Sequence, residues 1–217
     1  MLLRIPGVYP PQDDTWLLAA ALAEQPWNIH GRVLDLCTGT GALAVRAAAL
    51  GAGDVTAIDI SRRAVLTSRL NARMHRRPIR VLQGDLTAPV TGERFDLVVS
   101  NPPYVPAQRD RIPATGRARA WDAGTDGRAL LDRICRQVPD VLVPTGTLLL
   151  AQSVLSGVEK THVMLEEQGL QVDVVARRTI PFGPVLTARR RMLASRGVID
   201  ADQSSEEIVV IRGRQHS

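Results

Sequence analysis

Short apolar runs alternate along this chain with stretches whose apolar positions recur at helical spacing. That alternation is the mark of strand–helix–strand units feeding a parallel sheet. The strands it predicts are Arg32 to Cys37, Asp54 to Asp59, Ile79 to Gln83, Phe95 to Ser100, Thr147 to Gln152, Leu170 to Arg177 and Glu206 to Arg212. Helices are predicted from Asp13 to Glu24, Gly41 to Leu50, Ser61 to Met74, Asp126 to Val138 and Gly157 to Gln168. Local chemistry supports their ends. Asp13 and Asp14 suit the positive end of a helix dipole, Ser61 offers a capping hydroxyl and Gly169 is a helix stop. Pro102 to Trp121 is too rich in Pro, Gly and Arg for a regular element. Thr179 to Ser205 reads as an Arg-rich insertion, longer than ordinary connections, mobile without substrate and suited to an acidic partner. The expectation is one domain over residues 1–217: a doubly wound, mostly parallel seven-stranded α/β sheet with an antiparallel C-terminal hairpin.

Composition narrows the class. The 217 residues are 45% hydrophobic and 23% charged, enough for one sizeable core. The longest apolar run, Trp16 to Ala23, is far below the ~18 residues of a membrane span. Prolines at 6, 10 and 11 interrupt the N-terminus before a signal sequence can form, so a cytoplasmic protein without membrane attachment is expected. Cys37 and Cys135 form no C-x-x-C and the four histidines are scattered, which excludes a disulfide scaffold and a metal site. The net charge of +5 is carried by arginine: Lys160 is the only lysine among 27 basic residues. Two stretches lack acids, Arg62 to Arg80 with seven arginines and Arg177 to Arg196 with six. They keep nucleic acid open as a partner, although basic runs are usually solvated faces.

The chemistry concentrates at strand ends. Gly39-Thr-Gly41-Ala-Leu-Ala44 places G-x-G-x-x-A between a predicted strand and helix. Such glycines allow a tight turn and close approach of a ligand to backbone. Asp59 ends the next strand, 18 residues after Gly41, where a carboxylate accepts hydrogen bonds from ribose hydroxyls. A nicotinamide dinucleotide and S-adenosyl-L-methionine (SAM) both fit so far. Asp35, four residues before Gly39, favours SAM: it would repel a pyrophosphate but suit the methionine ammonium. Asp85 follows the third strand and can accept from the adenine amine. Any one acid is an ordinary turn residue; three at successive strand ends fit the rule that open α/β sheets bind ligands there.

Asn101-Pro102-Pro103-Tyr104 follows the fourth strand directly. As local structure it can simply terminate a strand. As chemistry it suits methylation of a planar nitrogen, whose lone pair is delocalised. Two acceptors aimed at its hydrogens, the Asn101 side-chain oxygen and the Pro102 carbonyl, would rehybridise it, with the prolines fixing the carbonyl's aim. Tyr104 could stack on the flat acceptor. In-line positioning then supplies much of the rate without a strong base.

Together D-L-C-T-G-T-G, Asp59, Asp85 and N-P-P-Y resemble class I SAM-dependent N-methyltransferases, above all the HemK/PrmC group that methylates the GGQ-loop glutamine of peptide release factors. The likeness is to the short eukaryotic and archaeal form. It rests on V-Y-P-P-Q-D-D-T-W-L-L (Val8–Leu18), A-W-D-A-G-T-D-G-R (Ala120–Arg128) and the stretch from Val138 to Gly146. The resemblance implies cofactor contacts at Thr15, Asp35, Cys37, Asp59, Asp85, Leu86 and Asn101, beside the glycine turn of Gly39 and Gly41. It also implies that Asn101, Pro102, Pro103 and Tyr104 hold the acceptor. A release factor is the implied protein substrate, and a small zinc-binding activator subunit is a candidate partner. Nucleic-acid methylation at adenine N6 or guanine N2, or a SAM-fold subunit without activity, are the alternatives. The sequence departs from the family at Ala123, where a glycine is usual, and at 179–205, which has no counterpart. The separate N-terminal substrate domain of the bacterial enzymes is not expected, since some thirty residues precede the first strand.

Overall fold

The structure is a computed structural model that describes residues 2–24, 30–114 and 116–215. Seven strands form one sheet in the order β3-β2-β1-β4-β5-β7-β6. They are β1 Arg32–Leu36, β2 Asp54–Asp59, β3 Ile79–Gln83, β4 Phe95–Ser100, β5 Leu142–Ser153, β6 Leu170–Pro181 and β7 Ser205–Gln215. All neighbours are parallel up to β5; β7 runs antiparallel to both β5 and β6. The predicted sheet and its C-terminal hairpin are therefore present. The central strands read as near-continuous apolar runs because both faces are covered. Val33, Leu34 and Leu36 of β1, and Leu97, Val98 and Val99 of β4, are fully buried.

The helices are α1 Asp13–Glu24, α2 Ala42–Leu50, α3 Arg62–Met74, α4 Leu131–Gln137, α5 Val158–Glu166 and α6 Pro184–Ser195. From β1 the chain steps outward through α2 and α3; at β4 it returns to the centre and steps the other way through α4 and α5. Right-handed crossovers put those two sets on opposite faces and leave a crevice where the order reverses, between β1 and β4. No helix among the described residues is long and apolar enough to cross a membrane.

The last third of the chain differs from expectation. Helix α4 starts at Leu131 rather than Asp126, because the Asp126 carboxylate accepts from the Arg128 amide (2.9 Å) and holds 126–130 in turns. The Arg128 guanidinium, almost fully buried, donates to Asp132 Oδ1, the carbonyls of Ser156 and Gly157, and Thr161 Oγ1, and so ties α4 to α5. The Arg-rich link is regular for much of its length. Strand β6 continues four residues past Arg177 to Pro181, which pairs with Ser205, and the remainder folds into α6 with Pro184 in its first turn. Leu186, Leu193 and Ile199 form a small second core there, joined by Phe182 and Met192.

Candidate active site

Below the crevice, the carboxyl ends of β1, β2 and β4 open into a cavity of about 270 Å³. Its wall holds eight of the predicted residues: Thr15, Cys37, Gly39, Asp59, Asp85, Leu86, Asn101 and Pro103. The others stand just behind. Asp35 and Gly41 lie under the turn after β1, and Pro102 and Tyr104 are buried behind Asn101 and Pro103.

The turn after β1 is built for close approach. Gly39 takes φ 54, and a Cβ there would meet nothing nearer than 4.0 Å, so the backbone presents open wall to the cavity. Gly41, at φ 82, is required for packing: a Cβ would come within 3.2 Å of the Ser68 backbone on α3. Cys37 and Leu86 also take left-handed backbone angles, φ 59 and 49. A non-glycine residue there costs roughly 1–2 kcal/mol, and both such residues line the cavity, where stored strain commonly accompanies ligand contact. Burial, with Asp59 and Asp35 nearby, pushes the Cys37 thiol well above its ordinary range, which disfavours the thiolate.

Asp59 is held rigidly at the cavity wall. Its Oδ2 accepts from the Gly39 amide (2.9 Å) and its Oδ1 from the Ser61 amide (2.8 Å). Each carboxylate oxygen keeps a further lone pair for a ligand hydroxyl. Burial raises its pKa; the backbone amides of Ser61, Gly39 and Ile60 and the Arg119 charge oppose that rise. Asp85 stands exposed at the rim and is paired with Arg133 of α4 (2.8 Å), a partner 48 residues away that sequence spacing does not disclose.

Two expected roles need correction. Asp35 does not reach the cavity. It is fully buried, its Oδ2 accepts from Thr38 Oγ1 (2.5 Å) and the Ala44 amide (3.0 Å), and its Oδ1 has no partner. It fastens the glycine turn to the start of α2, and burial, partly offset by those bonds, raises its pKa to about 7. Tyr104 is likewise no stacking platform: it is 7% exposed, belongs to the main core, and its hydroxyl donates to Asp14 Oδ2 (2.9 Å). Alternation along the chain after β4 turns Asn101 and Pro103 to the cavity and Pro102 and Tyr104 away from it.

Asn101 carries the clearest signal. Its Nδ2 donates to Thr15 Oγ1 (3.1 Å), whereas its buried Oδ1 has no partner among the described residues. A buried amide oxygen left unpaired in a residue that lines a cavity calls for a donor from a ligand or water. Sequence reasoning missed three further parts. Tyr9 and Pro10 line the cavity from the N-terminal segment, and Tyr9 pairs edge-on with Trp121 (ring centroids 6.0 Å apart, planes at 57°). Arg119 lines it beside Asp59. Asp14 holds both Thr15 and Tyr104. The motif V-Y-P-P-Q-D-D-T contains two of the three, but only the fold brings residue 14 against residue 104.

The two arginine stretches separate. On α3 and the start of β3 all seven arginines are exposed. In the second stretch, Arg189 donates to the Pro106 carbonyl (2.9 Å) and pairs with Asp122 (2.5 Å), and Arg196 donates to the carbonyls of Ala107 and Gln108 (2.9 and 3.1 Å). These two hold the segment after N-P-P-Y by bonds within the chain, Arg189 half-buried and Arg196 exposed. Ala123, the departure from the family glycine, has an ordinary φ and is fully buried beside the Val105–Asp122 bridge, so the substitution introduces no strain.

A sheet of this order, with a glycine turn after β1, an acid at the tip of β2 and N-P-P-Y after β4, defines a class I methyltransferase. The methyltransferase small domain matches residues 6–117, and the chain belongs to that family. It is 34% identical over 177 residues to a Methanocaldococcus jannaschii chain assigned as a protein N5-glutamine methyltransferase, covering 82% of this chain and 88% of that one. It is 31% identical over 171 residues to human methyltransferase HEMK2, covering 76% and 80%. With the release factor glutamine methyltransferase of Deinococcus radiodurans it shares 40% identity over 150 residues, 66% of this chain but about half (53%) of that longer protein. Among solved structures, Mtq2 of E. cuniculi in complex with Trm112, described as methylating the eRF1 termination factor, shares the fold (TM-score 0.67, 24% identity, 96% and 99% coverage).

Proposed function

We propose that this chain methylates the side-chain amide nitrogen of a glutamine in a peptide release factor, with SAM as donor. The observation that carries the reading is Asn101, a residue of the cavity wall whose buried Oδ1 has no partner among the described residues. The cofactor, when bound, supplies an electrophilic methyl group on a positively charged sulfur. The residues present fit it: Asp59 offers free lone pairs for ribose hydroxyls, Asp85 stands where an adenine amine would donate, and the Gly39 wall admits backbone contact. Asn101 Oδ1 then accepts one N–H of the acceptor amide and the Pro102 carbonyl the other. That pulls the nitrogen out of conjugation and lines its lone pair up with the methyl. The surplus proton left on nitrogen is acidic enough to pass to water, so no base is needed. Because these bonds strengthen as the nitrogen becomes tetrahedral, they act mainly on the transition state.

The names borne by the relatives support glutamine as acceptor, and the named Mtq2–Trm112 complex supports a small activator subunit as partner. A translation-factor substrate implies a cytoplasmic site of action. We read residues 1–217 as one methyltransferase domain, with α6 part of it. Nucleic-acid methylation is the second reading, favoured by the exposed, acid-free arginines of α3. A methyl-transfer assay with tritiated SAM, offering a recombinant release factor and total RNA in parallel, separates the two. Label on the release factor, lost about 10²–10³-fold in kcat with Asn101→Ala, is the expected result. Near-normal turnover by Asn101→Ala would leave N-P-P as a strand terminator only.

A further inference from the structure

We infer that Asp14 is a positioning residue: acting through the Thr15 hydroxyl, it sets which end of the Asn101 amide faces the cavity. This rests on the assignment of Asn101 Oδ1 as the partner of the acceptor nitrogen. The argument is one of counting protons. An asparagine side chain presents an acceptor at one end and donors at the other, and rotation by half a turn exchanges them. Nothing in the N-P-P-Y motif itself decides which end points inward. Among the described residues, Thr15 Oγ1 is the one side-chain atom hydrogen-bonded to the Asn101 amide, at 3.1 Å from Nδ2, and a hydroxyl can donate or accept. Left alone, it would tolerate either end.

Asp14 removes that freedom. Thr15 Oγ1 lies 3.2 Å from Asp14 Oδ1, and a carboxylate only accepts. The single hydroxyl proton is therefore committed to Asp14, and toward Asn101 the Thr15 oxygen can only accept. Asn101 must answer with its NH2 group, which turns Oδ1 to the other side, where it is buried without a protein partner. Asp14 is itself held from three directions. The Thr15 amide donates to Oδ1 (2.6 Å), the Tyr104 hydroxyl donates to Oδ2 (2.9 Å), and the residue lies in the first turn of α1, where an acid is favoured. Donation thus converges on Asp14, from Tyr104 on one side and from Asn101 through Thr15 on the other. It also explains why a tyrosine of the N-P-P-Y motif is buried rather than facing the acceptor: its hydroxyl steadies the carboxylate that orients the asparagine of the same motif.

The test reads orientation and turnover separately. The chain has three asparagines, Asn28, Asn71 and Asn101, so selective ¹⁵N-asparagine labelling gives three side-chain amide pairs, with Asn101 assigned by its loss in Asn101→Gln. In the unaltered protein the Asn101 pair should be single and slow to exchange; in Asp14→Ala it should double or exchange rapidly. With SAM and a recombinant release factor, Asp14→Ala should lower kcat by about tenfold or more, as for loss of preorganisation, while the Kd for SAM by calorimetry stays within about twofold. Asp14→Asn should restore most of the turnover, because the Thr15 amide keeps a carboxamide oxygen toward the hydroxyl. If Asp14→Ala does not fold, Thr15 decides: at saturating SAM, Thr15→Ser should retain kcat and Thr15→Val should lose it. A single, protected Asn101 pair with normal kcat in Asp14→Ala overturns the inference, as does Asp14→Asn falling as far as Asp14→Ala. The resonance readout needs no acceptor, so a release factor that takes no methyl would count against the proposed substrate alone.

Discussion

At the scale of single residues, chemistry was legible where a residue's role follows from its place at a strand end. Asp59 at the tip of β2 and Asn101 after β4 were named from the chain alone, and both line the cavity. Asp35 and Tyr104 are legible by position too, but both are buried behind the wall and do not line it. A one-dimensional pattern gives the strand end without giving the face, and one step of alternation separates a wall residue from a buried one. Asp59→Ala should weaken SAM binding by roughly 1.5–3 kcal/mol in calorimetry, the range for a lost hydrogen bond to a charged group; unchanged affinity would remove Asp59 from the ribose site. Glu206, at the start of β7, gives a prediction of another kind. Its Oε2 is buried without a partner, and burial, with the nearby Asp14 charge, raises its pKa to about 7 against a bond from Ser153. A raised acid binds its proton more tightly when folded. Stability from this group is therefore full below the unfolded value of 4.5 and is lost as pH climbs to about 7. Glu206→Gln should leave stability near pH 4 little changed and raise it at pH 8 by on the order of 3 kcal/mol in urea titrations. Asp35 has the same sign and keeps part of the slope. A pH dependence identical to that of the unaltered chain would contradict this placement of Glu206.

At the scale of elements, hydrophobic periodicity placed every strand, and its one large failure was instructive. Residues 179–205 read as an insertion because the link is long and carries a run of arginines, yet Leu186 and Leu193 are one heptad apart and both buried. The helix they make, α6, brings Arg189 and Arg196 onto the backbone that follows N-P-P-Y, where four contacts hold Pro106, Ala107, Gln108 and Asp122. Composition cannot show this, since an arginine on a surface and an arginine capping buried carbonyls read alike. The clamp predicts that Arg189→Ala will speed amide hydrogen exchange between Val105 and Asp122 and cost about 1.5–3 kcal/mol of stability, while Arg191→Ala, an exposed residue, does neither. Equal exchange in the two variants would reduce α6 to a decoration on the sheet.

At the scale of the molecule, the order of strands makes the site. The reversal between β1 and β4 opens one crevice, and it gathers Thr15 from the N-terminal helix, Asp59 from one side of the reversal and Asn101 from the other. The alternation of strands and helices was enough to foresee a parallel sheet and a ligand at its carboxyl edge. It was not enough to foresee that Asp14 and Tyr104, 90 residues apart, would meet behind that site, because such contacts belong to the closed sheet and to no local pattern. The central claim is that this crevice presents an acceptor oxygen to the amide nitrogen of a glutamine. Mass spectrometry of a recombinant release factor, incubated with the protein and SAM and then digested, tests it most directly. One methyl group on the side-chain nitrogen of the GGQ glutamine, present with the unaltered protein and absent with Asn101→Ala, is the predicted result. An unmodified glutamine, with methyl found instead on RNA from the same incubation, would contradict it.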